Sequence, residues 1–285
     1  VPARTGPAAG RPAAAPSGKP RARALGIPFA GQPGQWNAIT DVPGVEVGYV
    51  TVLEGDSVRT GLTAIHPRGR AGAPDPVAAG FFAQNGNGEM TGVAWIEESG
   101  TFAGPVAITS TLAVGIAHAA IAAWTVREHP ALADGWLLPV AAETWDGYLS
   151  DTTRQHVTVE HGVAALESAA SGPVAEGSVG GGTGMICYDF KGGSGTASRL
   201  VEHAGTTYTV GVFVQANFGS RAELTLAGVP VGRLLGAENP RRSGPGSPPP
   251  GAGSVIAVVA TDAPLIPPQC KALARRVTLG LARTG

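Results

Sequence analysis

The chain has 285 residues, enough for a sizeable core in one large domain or two fused layers. Its formal net charge of −1 and sequence pI of about 6.7 give no basic excess of the kind that nucleic acid or an anionic membrane attracts, so neither is an expected partner. Glycine, at 43 residues, is about twice its ordinary share of roughly 7 %, and without a G-X-Y period it signals tight turns and close backbone approaches between short strands rather than collagen. Two cysteines, Cys187 and Cys270, are too few for a disulfide framework or a Cys-based zinc site, and packed thiols are expected.

Residues 1–24 are mostly Ala, Pro and Gly, and carry five basic residues (Arg4, Arg11, Lys19, Arg21, Arg23) ahead of the first acid at Asp41. This composition predicts a solvated, disordered leader. No charged start followed by an apolar run marks an export signal, and the cytoplasm is the expected compartment. Residues 38–52, "AITDVPGVEVGYVTV", alternate like two short strands around Pro43-Gly44, and "TGLTAIHP" and "PVAAGFFAQNGNGEMTG" continue the strand-and-turn pattern. From Ser110 or Thr111 to Glu128 the sequence predicts a helix, apolar all round and therefore buried against a sheet. Its apolar core, Leu112 to Trp124, is too short to cross a bilayer and carries His118.

"LLPVAAETWDGYLSD" predicts a strand and a polar turn, and Thr158 to Ala170 a second helix. A glycine-dense stretch, "EGSVGGGTGMICYDFKGGSGTASRLV", follows, and "YTVGVFVQANFGSRAELTLAGVPVGRLL" alternates like two strands. Residues 236–253 are rich in Pro and Gly and predict a solvent-facing linker. "SVIAVVATDAPL" then resumes as a buried strand, and "PPQCKALARRVTLGLA" as a helix with Pro267 or Pro268 in its first turn. Many strands with few helices predict an α+β sandwich rather than a doubly wound parallel sheet.

The common catalytic motifs are absent: the chain has no G-x-S-x-G, no H-E-x-x-H and no G-x-x-x-x-G-K-[ST], since Gly192 follows Lys191. The glycine run lacks dinucleotide-binding spacing, and His156 and His161, with Glu160 between them, are expected on the surface rather than as metal ligands. What remains is the seam at Gly253–Ser254. A serine hydroxyl needs an adjacent base, and no histidine is nearby in sequence. If the Gly253–Ser254 bond were cut, the new α-amino group of Ser254, with a reference pKa of about 7.7–8.0, would be matched to that task at neutral pH. The same hydroxyl is close enough to attack the preceding carbonyl.

At this point the sequence resembles the β-aminopeptidase family, which includes the L-aminopeptidase/D-amidase (D-esterase) enzymes. The resemblance is carried by "NAITDVPGVEVGYVT", "ESGTFAGPVAITST", "AETWDGYLSD", "EGSVGGGTGMICYDFKGGSGTASR", "VFVQANFG" and "GSVIAVVATDAPLIPPQCKALARRVTLGLARTG", in family order from about Gly26 onward. It implies a four-layer αββα sandwich like that of the N-terminal-nucleophile hydrolases. It also implies self-cleavage between Gly253 and Ser254 into an α chain, residues 25–235 with the 236–253 linker, and a β chain from residue 254. Ser254 would be the nucleophile of an acyl-enzyme, Asn217 an oxyanion-hole donor, and Tyr148 a hydroxyl touching the tetrahedral intermediate. The implied substrate is a short peptide, amide or ester with a free amino terminus, with no cofactor or metal. Assembly as a homo-oligomer, a tetramer of processed protomers, is expected.

Family members continue beyond "GLARTG" with a Gly/Ser-rich segment and further core elements. Only 32 residues from Ser254 to Gly285 follow the cut here, which leaves the β chain shortened. An unprocessed, inactive fragment or scaffold is therefore an alternative reading. A related acyltransferase or an amide-oligomer hydrolase is another, although those generally cut at threonine.

Overall fold

The computed structural model describes residues 18–133, 135, 137–239 and 253–285. In chain order its elements are β1 (Glu46–Glu54), β2 (Val58–His66), β3 (Val77–Ala78), α1 (Val93–Ser99), β4 (Thr101–Phe102), β5 (Val106–Ser110), α2 (Val114–Glu128), α3 (Pro130–Ala133), β6 (Val140–Thr144) and α4 (Val159–Glu167). After these come β7 (Ile186–Cys187), β8 (Phe190–Lys191), β9 (Gly193–His203), β10 (Thr206–Asn217), α5 (Val231–Leu234), β11 (Ser254–Thr261) and α6 (Pro267–Leu281). The content is α+β, as the sequence predicts. No helix among the described residues is long and apolar enough to cross a membrane.

Two sheets form the body. One has the order β1-β2-β5-β6, antiparallel except for the parallel β5–β6 pair; the other has the order β11-β10-β9, antiparallel throughout. One core lies between the sheets, where Ile39, Val45, Ile65, Ile108, Val140 and Phe213 meet Ile256, Val258 and Ala260. The other lies under the helices, where Ala117, Ile121 and Trp124 of α2 and Ala165 and Leu166 of α4 cover Leu62, Ala64, Ala107 and Ala141. Helix α2 thus has the sheet-facing burial its composition requires. α4 starts as a capped helix, Thr158 Oγ1 accepting from His161 N at 3.3 Å and His161 Nδ1 accepting from Thr158 N at 3.3 Å. α6 carries Pro at its first positions, and Gln269 Oε1 accepts from Ile266 N at 3.0 Å.

The structure corrects the sequence reading in four places. Residues 38–45 do not form a first strand, because Asp41 takes the N–H groups of Trp36 (2.8 Å) and Ala38 (3.0 Å) and closes a 3-10 turn over Ile39–Asp41. The stretch expected as two strands holds only one, β10; past Asn217 the chain turns into a 3-10 segment, Arg221–Glu223, capped by a Ser220 N to Glu223 Oε2 bond of 2.7 Å. Strand β11 is half-buried along its whole length rather than buried, because β10 pairs with it on one side and its other edge has no partner strand among the described residues. Of the expected leader, residues 1–17 lie outside the described residues, but 18–24 belong to the packed domain. The Arg21 guanidinium donates to Trp36 O (2.8 Å), Asn37 O (2.9 Å) and Thr196 O (2.6 Å) and pairs with Glu176 at 2.6 Å. Residues 240–252 of the expected linker also lie outside the described residues.

His66 offers a test of the helix-covered core. It is fully buried, and its Nε2 donates to Leu166 O at 3.1 Å beside the Trp124 ring. Burial holds its pKa down at about 4, against an unfolded value near 6.5. The neutral ring is the one the fold accepts, so this stability is full above pH 6.5 and is lost as pH falls toward 4. Urea unfolding at pH 7.5 and pH 5.0 should show a loss of roughly 2 kcal/mol in the wild type that is absent in His66→Gln, which keeps a donor for Leu166 O but cannot titrate.

Candidate active site

The site is assembled by strand register. β10 and β11 pair antiparallel with Asn217 directly opposite Ser254, the last rung of the ladder. Side chains on one rung share a face, with Cβ atoms about 4.5–5.5 Å apart, so the pairing alone brings the two polar groups together. Asn217 Nδ2 donates to Ser254 Oγ at 3.1 Å. A second donor comes from the facing sheet: past the end of β6, the backbone N–H of Trp145 reaches Ser254 Oγ at 2.9 Å. Two N–H groups from two sheets therefore converge on one hydroxyl, an arrangement that favours its alkoxide form and any negative charge developing beside it.

The Asn217 amide is oriented by its other end. Its Oδ1 accepts from Ile186 N at 3.0 Å, and since a backbone N–H can only donate, the NH2 end must face Ser254. Ile186 belongs to the two-residue hairpin β7–β8, whose turn residues Tyr188 (φ 53°) and Asp189 (φ 55°) both have positive φ. That costly turn is held from outside. Arg221 donates to Asp189 O at 2.7 Å and lies 3.7 Å over the Phe190 ring, Tyr188 N donates to Phe218 O at 2.8 Å, and the Tyr188 hydroxyl meets Thr284 Oγ1 at 2.8 Å. Burial pushes the Cys187 thiol up to about 11, so it stays protonated and is no rival nucleophile.

Two residues before Asn217, on the same face of β10, Gln215 is fully buried and joins the sheets: its Nε2 donates to Thr144 Oγ1 at 2.7 Å and to Thr109 O at 3.4 Å. The glycine-rich segment fills the space alongside. A Cβ on Gly181 would stand 2.4 Å from Gln215 Oε1 and 2.6 Å from Ile108 O, and one on Gly182 would stand 2.3 Å from Ser194 N, so glycine is required for the backbone to pass between the sheets. Gly253 is constrained in the same way, its Cβ position lying 2.8 Å from Phe218 Cβ and 3.2 Å from Asn217 O.

Of the sequence-derived candidates, the structure brings Ser254, Gly253 and Asn217 together. Tyr148 stands 40 % exposed in the turn three residues beyond Trp145. The Trp145 N–H and the Ile186 N–H had no signal in the sequence, because any residue type supplies a backbone donor. Flanking Trp145 are two buried acids: Glu143, which accepts from Glu89 N at 3.2 Å and from the Thr111 hydroxyl, and Asp146, whose carboxyl is pushed up by desolvation. His156 is not a free surface residue but is packed 3.6 Å from both Asp151 and Glu54, while His161 serves as a helix cap. Among the described residues no group of three or more His, Cys, Asp or Glu side chains is arranged to hold a metal ion. Beside Ser254, starting at Val255, an apolar cavity of about 670 Å³ runs along β11 between α6, the Val77–Phe82 segment and the inner face of the first sheet.

The model of peptidase family S58 matches residues 37–285. The chain is 51 % identical to the β-peptidyl aminopeptidase BapA of Sphingosinicella microcystinivorans, over 93 % of this chain and 70 % of that protein. Among solved structures it is similar to the L-aminopeptidase D-Ala-esterase/amidase of Ochrobactrum anthropi, described as a prototype of the serine aminopeptidases and a variant of the Ntn hydrolase fold. That match has a TM-score of 0.86 at 49 % identity and covers 94 % of this chain and 74 % of the other. A Burkholderia sp. β-aminopeptidase matches with a TM-score of 0.82 at 48 % identity, covering 93 % and 73 %.

The buried stitch between the sheets is directly testable. Thr144→Val keeps the shape but removes the acceptor of the 2.7 Å Gln215 bond, leaving a buried amide under-satisfied. Urea unfolding should show a loss of about 1–3 kcal/mol, and a neutral result would show that Gln215 finds another partner.

Proposed function

The chain belongs to peptidase family S58 and is a serine aminopeptidase of the N-terminal-nucleophile type; from that premise we propose that it cuts itself between Gly253 and Ser254 and then uses Ser254 as the nucleophile. The observation that carries this reading is the Ser254 hydroxyl, set at the first residue of a strand and receiving N–H groups from Asn217 at 3.1 Å and Trp145 at 2.9 Å. In the cut, Oγ attacks the Gly253 carbonyl carbon, the C–N bond breaks to leave an ester, and the nitrogen becomes the free amino group of Ser254. Water then hydrolyses the ester. Gly253 is packed closely against Phe218 and Asn217 O, which leaves no room for a larger residue at the cut.

In turnover, the α-amino group of Ser254 takes the hydroxyl proton as Oγ adds to the substrate carbonyl, and passes it to the departing amine. Asn217 Nδ2 and the Trp145 N–H lie within reach of the oxygen that becomes negative on the carbon bonded to Oγ. Tyr148, in the turn beyond Trp145, is the further hydroxyl donor to that adduct. Water releases the acyl group from Ser254. Substrates are short peptides, amides or esters with a free amino terminus, small or β-amino residues being favoured, in line with the names of the relatives. Assembly into a tetramer of processed protomers rests on the family resemblance, and sedimentation velocity tests it.

Intact mass and denaturing electrophoresis of the purified protein test the cut. Two fragments divided between residues 253 and 254 are expected from the wild type and a single full-length species from Ser254→Ala; an equal split in both would overturn the assignment. Gly253→Val, which forces a side chain against Phe218 Cβ, should slow the split severely. Asn217→Ala should lower kcat by about 10²–10³-fold with a smaller effect on KM, measured as release of free amine.

A further inference from the structure

Lys191 closes the β7–β8 hairpin as the partner of Ile186. Its stem is exposed, but its ammonium is turned inward onto three backbone carbonyls: Met185 O at 2.8 Å, Gly192 O at 2.8 Å and Gly182 O at 3.4 Å. Among the described residues it has no carboxylate partner. A charge spent on carbonyl oxygens invites the question of which peptide it acts on.

The peptide unit between Met185 and Ile186 answers it. Its carbonyl receives the Lys191 ammonium, and its N–H is the group that holds Asn217 Oδ1 at 3.0 Å. A cation at the oxygen of an amide draws electron density away from its N–H and makes that N–H a stronger donor. The seat is rigid: a Cβ on Gly192, the next residue, would stand 2.6 Å from Ala216 O and 2.8 Å from Cys187 N, so the hairpin is packed against the end of β10 beside Asn217. The bonds run in one direction, from Lys191 to Met185 O, from Ile186 N to Asn217 Oδ1, and from Asn217 Nδ2 to Ser254 Oγ.

We propose that Lys191 is a positioning residue for the nucleophile: its ammonium fixes and polarises the Met185–Ile186 peptide, which locks the Asn217 amide with its NH2 end on Ser254. This rests on the assignment of Ser254 and Asn217 above. Without the ammonium the Ile186 N–H is a weaker donor on a less firmly seated peptide, so the Asn217 amide is held less tightly with its NH2 end on Ser254. Burial holds the Lys191 pKa down at about 8, so the lock weakens as pH rises through that value. The titratable groups on the elements around it are Cys187, Tyr188 and Asp189 of the hairpin, Arg221 over Phe190, Asp146 against Gly184, and the Ser254 amino group of a cut chain.

Two readouts test the lock on the full chain. In ¹⁵N NMR spectra, the Ile186 amide and the Asn217 side-chain amide should shift together as pH crosses about 8. That transition should be lost in Lys191→Met and moved out of range in Lys191→Arg, whose charge persists; a transition from the Ser254 amino group remains in all three. Identical titrations in wild type and both variants would overturn the proposal, whether or not the chain is active. In kinetics, Lys191→Met should lower kcat by about 10–100-fold with KM within about threefold, Lys191→Arg should restore much of it, and neither change should matter further in an Asn217→Ala background. An undiminished effect of Lys191→Met in that background would mean that Lys191 acts elsewhere. Cleavage and hydrolysis retained by Ser254→Ala would instead sink the nucleophile assignment and leave the NMR result to decide Lys191 by itself.

Discussion

One rung of a β-ladder, Asn217 opposite Ser254, sets the position of everything else at the site. Side chains alternate along a strand with a period of two, so sliding β11 by one residue against β10 would turn Ser254 to the other face and separate it from both of its N–H donors. The register is secured by the apolar residues that follow: Ile256, Val258 and Ala260, on the same face as Ser254, fit into the core between the sheets with Phe213 and Ile108. Hydrophobic packing along eight residues thus fixes the angle of one hydroxyl.

The second sheet contributes by proximity. For the Trp145 N–H to reach Ser254, β6 and β10 must approach closely just where both strands end. Gln215 and Thr144 bridge the gap with a buried hydrogen bond, and Gly180–Gly182 pass through it because no larger residue fits. An amide–hydroxyl pair in this dry setting holds the spacing by geometry, since a lost partner leaves a buried polar group unsatisfied. The hairpin carrying Ile186 and Lys191 braces the far end of Asn217, and its two positive-φ residues are held by Arg221, Phe218 and Thr284. Backbone strain there is offset by these contacts, of which Phe218 directly follows Asn217 on the chain.

The apolar cavity beside β11 is the other consequence of this arrangement. Residues from both faces of β11, Val255 to Thr261, line it together with Cys270, Leu273 and Val277 of α6.

Much was legible in the sequence. The change at Ser254 from Pro- and Gly-rich linker to an apolar β run marked the seam, the composition of residues 111–128 required a helix buried on a sheet, and the two prolines at 267 and 268 marked the start of α6. These are local properties, fixed by side-chain period and backbone allowance. "VQANFG" and "WDGYLSD" were marked only by resemblance, because an asparagine at a strand end and a tyrosine in a turn have ordinary local roles. The 3-10 turn at Ile39–Asp41 and the single long β10 were misread where a capping carboxylate, Asp41 or Glu223, overrode strand propensity. The sequence by itself marked the seam at Gly253–Ser254, and the family resemblance made Ser254 the candidate nucleophile. Only the tertiary structure decided what surrounds it: the Trp145 and Ile186 donors are backbone groups with no sequence signature, and the paths that bring them to Ser254 and Asn217 span 109 and 31 residues. Contacts of that range depend on how the two sheets pack, and no local pattern encodes that.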